Sequence, residues 1–94
     1  MAKVIISFRF SRRFKKEYKK LPNEIQGAFD QKLLLFLQNM SHPSLGVKKI
    51  QATSDRWEGS ITMRYRFTFQ MFQDSVIFRA IGTYDILNRE SQQH

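Results

Sequence analysis

The sequence predicts an α+β fold in which a helical hairpin packs on one face of a small, twisted, mostly antiparallel β-sheet. Three observations predict it: an alternating segment opens the chain, two amphipathic helical stretches follow, and three or four strand-like segments come last. Strands grouped after helices in 94 residues favour α+β over repeated β–α units. We expect residues 1–94 to form one domain with a disordered polar tail at 89–94.

The first half of the chain predicts one strand and two helices. Residues 3–10 alternate in part, as a strand does, and Ser11 is a good N-cap. The apolar stripe of the first helix recurs at helical spacing, at Phe14, Tyr18 and Leu21. Pro22 ends that helix and suits the first turn of the next, which we expect to run to about Met40.

The second half predicts the rest of the sheet. Strands are expected over 47–52, 57–72 and 76–81, with turns at 53–55 and 73–74. Because strands usually have about five or six residues, we expect a bend near 63–65. The last strand is apolar on both sides apart from Arg79, which predicts a central position in the sheet.

The segment WEGSITMRYRFTFQ, residues 57–70, alternates apolar and polar residues with a period of two. This pattern predicts one buried face and one solvent-exposed face that carries Arg64 and Arg66. Lys48 and Lys49 lie just upstream and project to opposite faces of a regular strand, so only one of them can join these arginines. A sheet face with clustered cations is suited to holding an anionic polymer.

Composition restricts the class of protein. Hydrophobic residues make up 41% of the chain, which predicts a folded core, and the absence of cysteine excludes disulfides and thiolate metal sites. The N-terminus lacks the pattern of a signal peptide, and no apolar run approaches the roughly eighteen residues of a membrane span. We therefore expect a cytoplasmic protein with no membrane partner, no metal and no small-molecule cofactor.

The net charge of +8 is concentrated at the N-terminus. Residues 1–20 contain eight basic residues against Glu17 alone, a balance of +7, whereas residues 21–94 contain eight basic and seven acidic residues, a balance of +1. This asymmetry predicts attraction to nucleic acid or to an acidic partner protein. The alternative is a solvated, lysine-rich helix face.

Three segments together resemble the RelE/ParE superfamily of bacterial toxins. FSRRFKKEYKKLP resembles the first helix, HPSLGVKKI with WEGSITMRYRFTFQ the sheet, and IGTYDIL the last strand and catalytic turn. The resemblance implies the toxin of a type II toxin–antitoxin system: a ribosome-dependent, metal-independent mRNA endoribonuclease that inhibits translation. It also implies a cognate acidic antitoxin, expected on the sheet edge and on the first helix at Lys15, Lys16, Lys19 and Lys20. Alternatives are a ParE-like inhibitor of DNA gyrase and an inactive relative that retains only antitoxin binding.

The resemblance also implies site residues. Arg66, in the pair Tyr65-Arg66, matches the arginine that contacts the scissile phosphate, and Lys48 and Lys49 match the basic residues of the first sheet strand. Tyr84 stands where many relatives have histidine, which removes that general base. Further RNA contacts are expected from six basic residues: Arg56, Arg64, Arg79, Lys15, Lys16 and Lys19.

Several of these positions have more than one interpretation. Tyr84 either exchanges a proton or stacks on a base, and Arg79 is either paired within the sheet or directed into the site. Arg64 is alternatively an ordinary exposed strand residue. We expect Glu58 to pair with a cross-strand cation and His42 to be a surface loop residue.

Overall fold

Two α-helices and five β-strands make up the fold of the computed structural model, which describes residue 5 and residues 7–88. In chain order the elements are β1 (Ser7–Phe10), α1 (Arg12–Lys19), α2 (Asn23–Gln38), a 3-10 turn (Pro43–Leu45), β2 (Lys48–Lys49), β3 (Arg56–Ser60), β4 (Tyr65–Phe72) and β5 (Ser75–Thr83). The start of the predicted first strand and the predicted tail at 89–94 lie outside the described residues.

The five strands form one sheet in the order β1-β5-β4-β3-β2. Strands β2 to β5 pair antiparallel with their neighbours in the sheet, and β1 pairs parallel with β5. The predicted α+β class and the central position of the last strand are therefore confirmed.

The two helices form a hairpin over one face of the sheet. The Ser11 side chain caps α1 by accepting a hydrogen bond from the backbone N–H of Phe14 at 3.0 Å. Pro22 is the N-cap residue of α2 and not part of its first turn. Helix α2 ends at Gln38, slightly before the predicted end, because Asn39 adopts an extended conformation.

Phenylalanine side chains fill the space between the hairpin and the sheet. The rings of Phe29 and Phe36 on α2 lie edge-on to Phe67, with ring centroids 5.4 and 6.0 Å away, and all three are fully buried. Gly59 on β3 makes room for this cluster, since a Cβ added there would lie 2.2 Å from Cζ of Phe67.

Strand β2 is much shorter than the predicted strand at 47–52. The N–H of Ile50 donates to the carbonyl of Arg56, and the N–H of Thr53 donates back to the carbonyl of Ile50. Ala52 between them has a φ of 65°. The chain therefore turns immediately after Lys49, and this part of the strand prediction is wrong.

The predicted bend in 57–72 is confirmed as the loop 61–64 between β3 and β4. It contains none of the usual turn residues; instead, Oγ1 of Thr62 accepts hydrogen bonds from the N–H groups of Arg64 and Tyr65 at 3.3 and 3.2 Å. Met63 lies in this loop with 92% of its surface exposed. Its predicted place on the buried face is therefore wrong, because the loop interrupts the alternation.

The sheet face opposite the helices, here called the outer face, is less open than predicted. It carries Lys48, Arg56, Glu58, Ser60, Arg66, Thr68, Ala80 and Gly82, as the strand registers require. Glu58 and Thr68 were expected in solvent but are only 7% and 0% exposed. A short helical turn after β5 also returns Ile86 over this face, 3.2 Å from a Cβ built on Gly82.

Candidate functional site

Arg66 lies on the outer face at the end of the sheet formed by the β3–β4 loop. Its register neighbours are Ser60 on β3 and Gly82 on β5, and Ile86 packs against Gly82 on the same face. Its Nη2 donates a hydrogen bond to the carbonyl of Met63 at 3.2 Å. The loop thus holds the guanidinium group near the end of the sheet, where other donors remain for an anion.

Tyr84 joins Arg66 at this end of the sheet. Its N–H donates to the carbonyl of Arg64 at 3.1 Å, which ties the segment after β5 to the β3–β4 loop. The Tyr84 side chain is 59% exposed. Arg66, Tyr84 and the exposed Met63 thus all belong to the β3–β4 loop or make a hydrogen bond with it, and this region is here called the loop-end site (Met63, Arg64, Arg66 and Tyr84).

The strand register separates Lys48 from Lys49. Lys48 lies opposite Glu58, on the outer face with Arg66. Lys48 is thus the cross-strand cationic neighbour expected for Glu58. Lys49 lies opposite Trp57, which packs against the core on the helix side of the sheet. Only Lys48 therefore shares a face with the loop-end site.

Arg56 and Arg79 lie toward the other end of the outer face. Arg56 is in register with Gln70, and Nη1 of Arg79 donates to Oε1 of that residue at 3.2 Å. Gln70 in turn donates to Oδ2 of Asp55 at 2.6 Å. Arg79 is therefore hydrogen-bonded within the sheet. Three residues of β3 lie between Arg56 and Ser60, which are about 13 Å apart along the strand.

The lysines of α1 lie apart from the loop-end site. Lys15 and Lys19 border an apolar groove of about 390 Å³ between α1 and α2, together with Phe10, Phe14, Tyr18, Phe29, Asp30 and Leu33. Lys16 lies on another side of the helix, beside Arg12, Arg13 and Lys20. The helix thus divides the three lysines that the sequence grouped as RNA contacts.

Sequence reasoning missed two parts of this arrangement. Met63 falls in the apolar phase of an alternating segment, so no sequence signal marks it as exposed. The link from Arg79 on β5 through Gln70 on β4 to Asp55, just before β3, joins side chains that are 9 and 15 positions apart in sequence. His42 has the expected loop role, since its Nδ1 accepts a hydrogen bond from the N–H of Ser44 at 3.1 Å.

Tyr18, on the wall of the apolar groove, has a raised pKa. Burial raises the pKa of Tyr18 above its usual value of 10.0, and the hydrogen bond that its hydroxyl donates to Asp30 at 2.8 Å raises it further. The same residue accepts a hydrogen bond at its carbonyl from Gln26 at 2.8 Å. Tyr18 thus links the two helices on the wall of the groove.

Within residue 5 and residues 7–88, no group of histidine, cysteine and acidic side chains is arranged to hold a metal ion. None of the helices in that part of the chain has the length and apolar character needed to cross a membrane.

Comparison with solved structures identifies the fold as RelE-like. The chain resembles a chain of the RelB–RelE antitoxin–toxin complex from Methanococcus jannaschii, with 20% identity and a TM-score of 0.71, over 86% of this chain and 95% of that one. It also resembles YafQ from E. coli, with 13% identity and a TM-score of 0.72, over 85% of this chain and 94% of that one. A third match, in the RelBE2 toxin–antitoxin complex from Mycobacterium tuberculosis, has 16% identity and a TM-score of 0.70, over 88% and 97% of the two chains.

Neither the family models nor the curated proteins contain a match to the chain. At identities of 13–20%, the likeness to these structures establishes a shared fold.

Proposed function

We propose that the chain is the toxin of a type II toxin–antitoxin system and that it cleaves mRNA on the ribosome without a metal ion. The observation that carries this proposal is the position of Arg66, on a RelE-like fold, beside Tyr84 and on the same sheet face as Lys48. The solved structures with this fold include a RelB–RelE antitoxin–toxin complex and a DinJ–YafQ toxin–antitoxin complex.

The chemistry needs no group beyond those of the outer face and the RNA. The 2′-hydroxyl of the substrate attacks the adjacent phosphorus, the new O–P bond forms, and the bond to the 5′ oxygen of the next nucleotide breaks. One proton leaves the 2′ oxygen and one is delivered to the 5′ oxygen. Arg66 offsets charge on the phosphorane through its planar donors, and the Tyr84 hydroxyl exchanges a proton with the reacting oxygens.

Lys48 has a supporting role in this proposal. It lies on the outer face but on β2, so β3 and β4 separate it from β5 and the segment that carries Tyr84. We assign it to neutralising a flanking phosphate, with no direct part in bond breaking. Arg56, at the far end of β3 from the loop, is suited to a phosphate further along the strand of RNA.

The proposed antitoxin docks in the groove between α1 and α2. Aromatic side chains from both helices line this groove, and Lys15 and Lys19 border it. A segment that inserts apolar side chains among the rings and places carboxylates beside the lysines is complementary to it. An acidic amphipathic helix has both features.

The nuclease proposal is tested by inducing the chain in cells and mapping new RNA 5′ ends in translated and untranslated copies of one message. We expect cuts only in the translated copy, and their loss with Arg66→Ala. Lys49→Ala is the control, because it removes an exposed cation that lies opposite Trp57, on the side of the sheet away from Arg66. Cleavage that persists without translation and without Arg66 rules the proposal out.

Tyr84 in place of histidine favours one alternative, a ParE-like toxin that inhibits gyrase. This alternative predicts that purified chain blocks supercoiling by gyrase while cellular RNA stays intact. A chain that does neither, yet binds its antitoxin tightly, is an inactive relative.

A further inference from the structure

Helix α1 presents its cations in two rows on different sides. One row is Lys15 and Lys19, at the border of the apolar groove. The other, here called the strand-side row, consists of Arg12, Arg13, Lys16 and Lys20, which line a separate concavity of about 470 Å³ with Glu17. Arg12, Lys16 and Lys20 follow each other about 6 Å apart along the helix axis.

Glu17 offsets only part of the positive charge of this row, since it is one carboxylate among four cations, and it also makes a contact with β5. Strand β1 ends at Phe10, so the edge of β5 beyond Phe78 has no strand partner on that side. Helix α1 replaces that partner: the Ser11 hydroxyl donates to the carbonyl of Arg79 at 2.9 Å, and Oε1 of Glu17 accepts from the N–H of Ile81 at 3.2 Å.

Arg13 is left with unused capacity for an anion. Its Nε lies 3.7 Å from Oε2 of Glu17, a long contact. Its Nη2 is buried and makes no hydrogen bond with the described part of the chain. The Arg13 side chain as a whole is 33% exposed, so it adds positive charge at the surface of this row.

The strand-side row also borders the strand that leads to the loop-end site. Ile81, which Glu17 contacts, is followed by Gly82, the register partner of Arg66. A sugar–phosphate chain that leaves Arg66 across the edge of β5 passes Ile81 and, at Glu17, the side of α1 that carries the strand-side row. The Lys15 and Lys19 row is on the other side of α1 and does not border this path.

We propose that the strand-side row binds the phosphates of RNA and that Lys15 and Lys19 do not. This inference rests on the proposed function for its substrate class, RNA. It replaces the expectation from sequence that Lys15, Lys16 and Lys19 act together. Phosphates favour this row because four cations share one carboxylate there, whereas the other row adjoins an aromatic groove that suits a protein side chain.

Two double variants of the full chain test the proposal: Lys16→Gln with Lys20→Gln, and Lys15→Gln with Lys19→Gln. All four lysines are exposed, lie at the same spacing on or just after one helix, and each pair removes two charges. The probe is a fluorescein-labelled 2′-O-methyl oligoribonucleotide, which cannot be cleaved by attack of its 2′ oxygen. Binding is followed by fluorescence anisotropy across a series of NaCl concentrations.

We expect the Lys16 and Lys20 variant to bind the RNA at least about tenfold more weakly at low salt. The magnitude of its slope of log K against log salt should fall by about 1.4, because each of the two lost phosphate contacts on a single strand removes about 0.7. The Lys15 and Lys19 variant keeps the wild-type slope. Equal losses in the two variants, an unchanged slope in the first, or no measurable binding by the wild type would each overturn the proposal. Equal unfolding temperatures establish that both variants are folded.

The binding assay is independent of cleavage. RNA binding that depends on Lys16 and Lys20 without any cut in translated messages refutes the nuclease proposal and leaves this one standing. Cuts that need Arg66, with RNA binding indifferent to Lys16 and Lys20, refute this one alone.

Discussion

At the scale of single residues, the loop-end site depends on the backbone of the β3–β4 loop, whose carbonyl groups accept hydrogen bonds from the Arg66 side chain and from the N–H of Tyr84. The resemblance of the segment around Tyr65-Arg66 to a known family predicts that Arg66 contacts phosphate, and this stays a prediction. The hydrogen bond from Arg66 to the carbonyl of Met63 depends on how the loop folds, and no local pattern marks it. Tyr18 and Gly59, which lie outside that site, allow the effects of a raised pKa and of close packing on stability to be tested.

Tyr18 predicts a loss of stability at alkaline pH. Its pKa in the folded chain lies above the 10.0 of an ordinary tyrosine, so below pH 10 the phenol is protonated in both states and its stabilising contribution is complete. Above pH 10 the unfolded chain releases this proton first, and the contribution is lost as the pH rises through the folded pKa. The free energy of unfolding of the wild type relative to Tyr18→Phe should be constant from pH 8 to 10 and then fall. Parallel profiles in urea titrations would contradict this.

Gly59 predicts a steric effect. In Gly59→Ala the new methyl group meets the Phe67 ring, which is fully buried and cannot move away cheaply, so we expect a loss of about 1–3 kcal/mol in the free energy of unfolding. Gly27→Ala is the control, because Gly27 lies in α2 with open space around it and alanine should stabilise the helix by about 0.5–1 kcal/mol. Urea denaturation that gives both variants the same sign would refute the packing argument.

At the scale of elements, the secondary structure was predicted correctly where the apolar pattern of the sequence was uninterrupted. The predictions were wrong where a strand end or a sheet face depends on contacts with residues outside the segment considered. The helices and the central strand followed from their apolar patterns and from Ser11. Strand β2 was overestimated because the turn at 50–53 depends on a hydrogen bond to Arg56, which belongs to the next strand. The outer face was expected to be open because Ile86, which packs over Gly82, lies beyond the strand whose alternation was considered.

Strand β2 gives a test of which lysine serves the site. Lys48→Gln should slow RNA cleavage by the chain, whereas Lys49→Gln should leave it close to the wild-type rate, because only Lys48 shares a face with Arg66. Both residues are exposed, so each substitution removes one charge at little cost in stability. Primer-extension assays measure the cleavage rates of both variants. A larger loss of rate in Lys49→Gln than in Lys48→Gln would show that Lys49, and not Lys48, serves the site.

At the scale of the whole molecule, the excess of positive charge serves two different surfaces in our proposals. The charge count predicted a polyanion or an acidic partner but could not divide the lysines between them, since both rows lie within nine residues of sequence. Only the packing of α1 against α2 on one side and β5 on the other separates the rows.

The separation of the two rows predicts how the double variant Lys15→Gln with Lys19→Gln changes the affinity of the chain for the proposed acidic partner. Its affinity for the antitoxin, taken as the product of a neighbouring acidic gene, should fall at least about tenfold, because two cations at the border of the groove are lost. The Lys16→Gln and Lys20→Gln variant should keep most of the affinity. Calorimetric titration measures both, and the opposite order would place the partner on the strand-side row.

The parallel pairing of β1 with β5 joins residues 68 positions apart, such as Ser7 and Ser75. Contacts so distant in sequence form late, since the intervening chain must first be closed into a loop. During synthesis, β1 has no strand partner until β5 has been made. The pairing of Arg66 with Gly82 and the hydrogen bond from Tyr84 to the loop cannot form before that point either. Under the proposed function, the chain therefore acquires its cleavage site only after β5 has been synthesised.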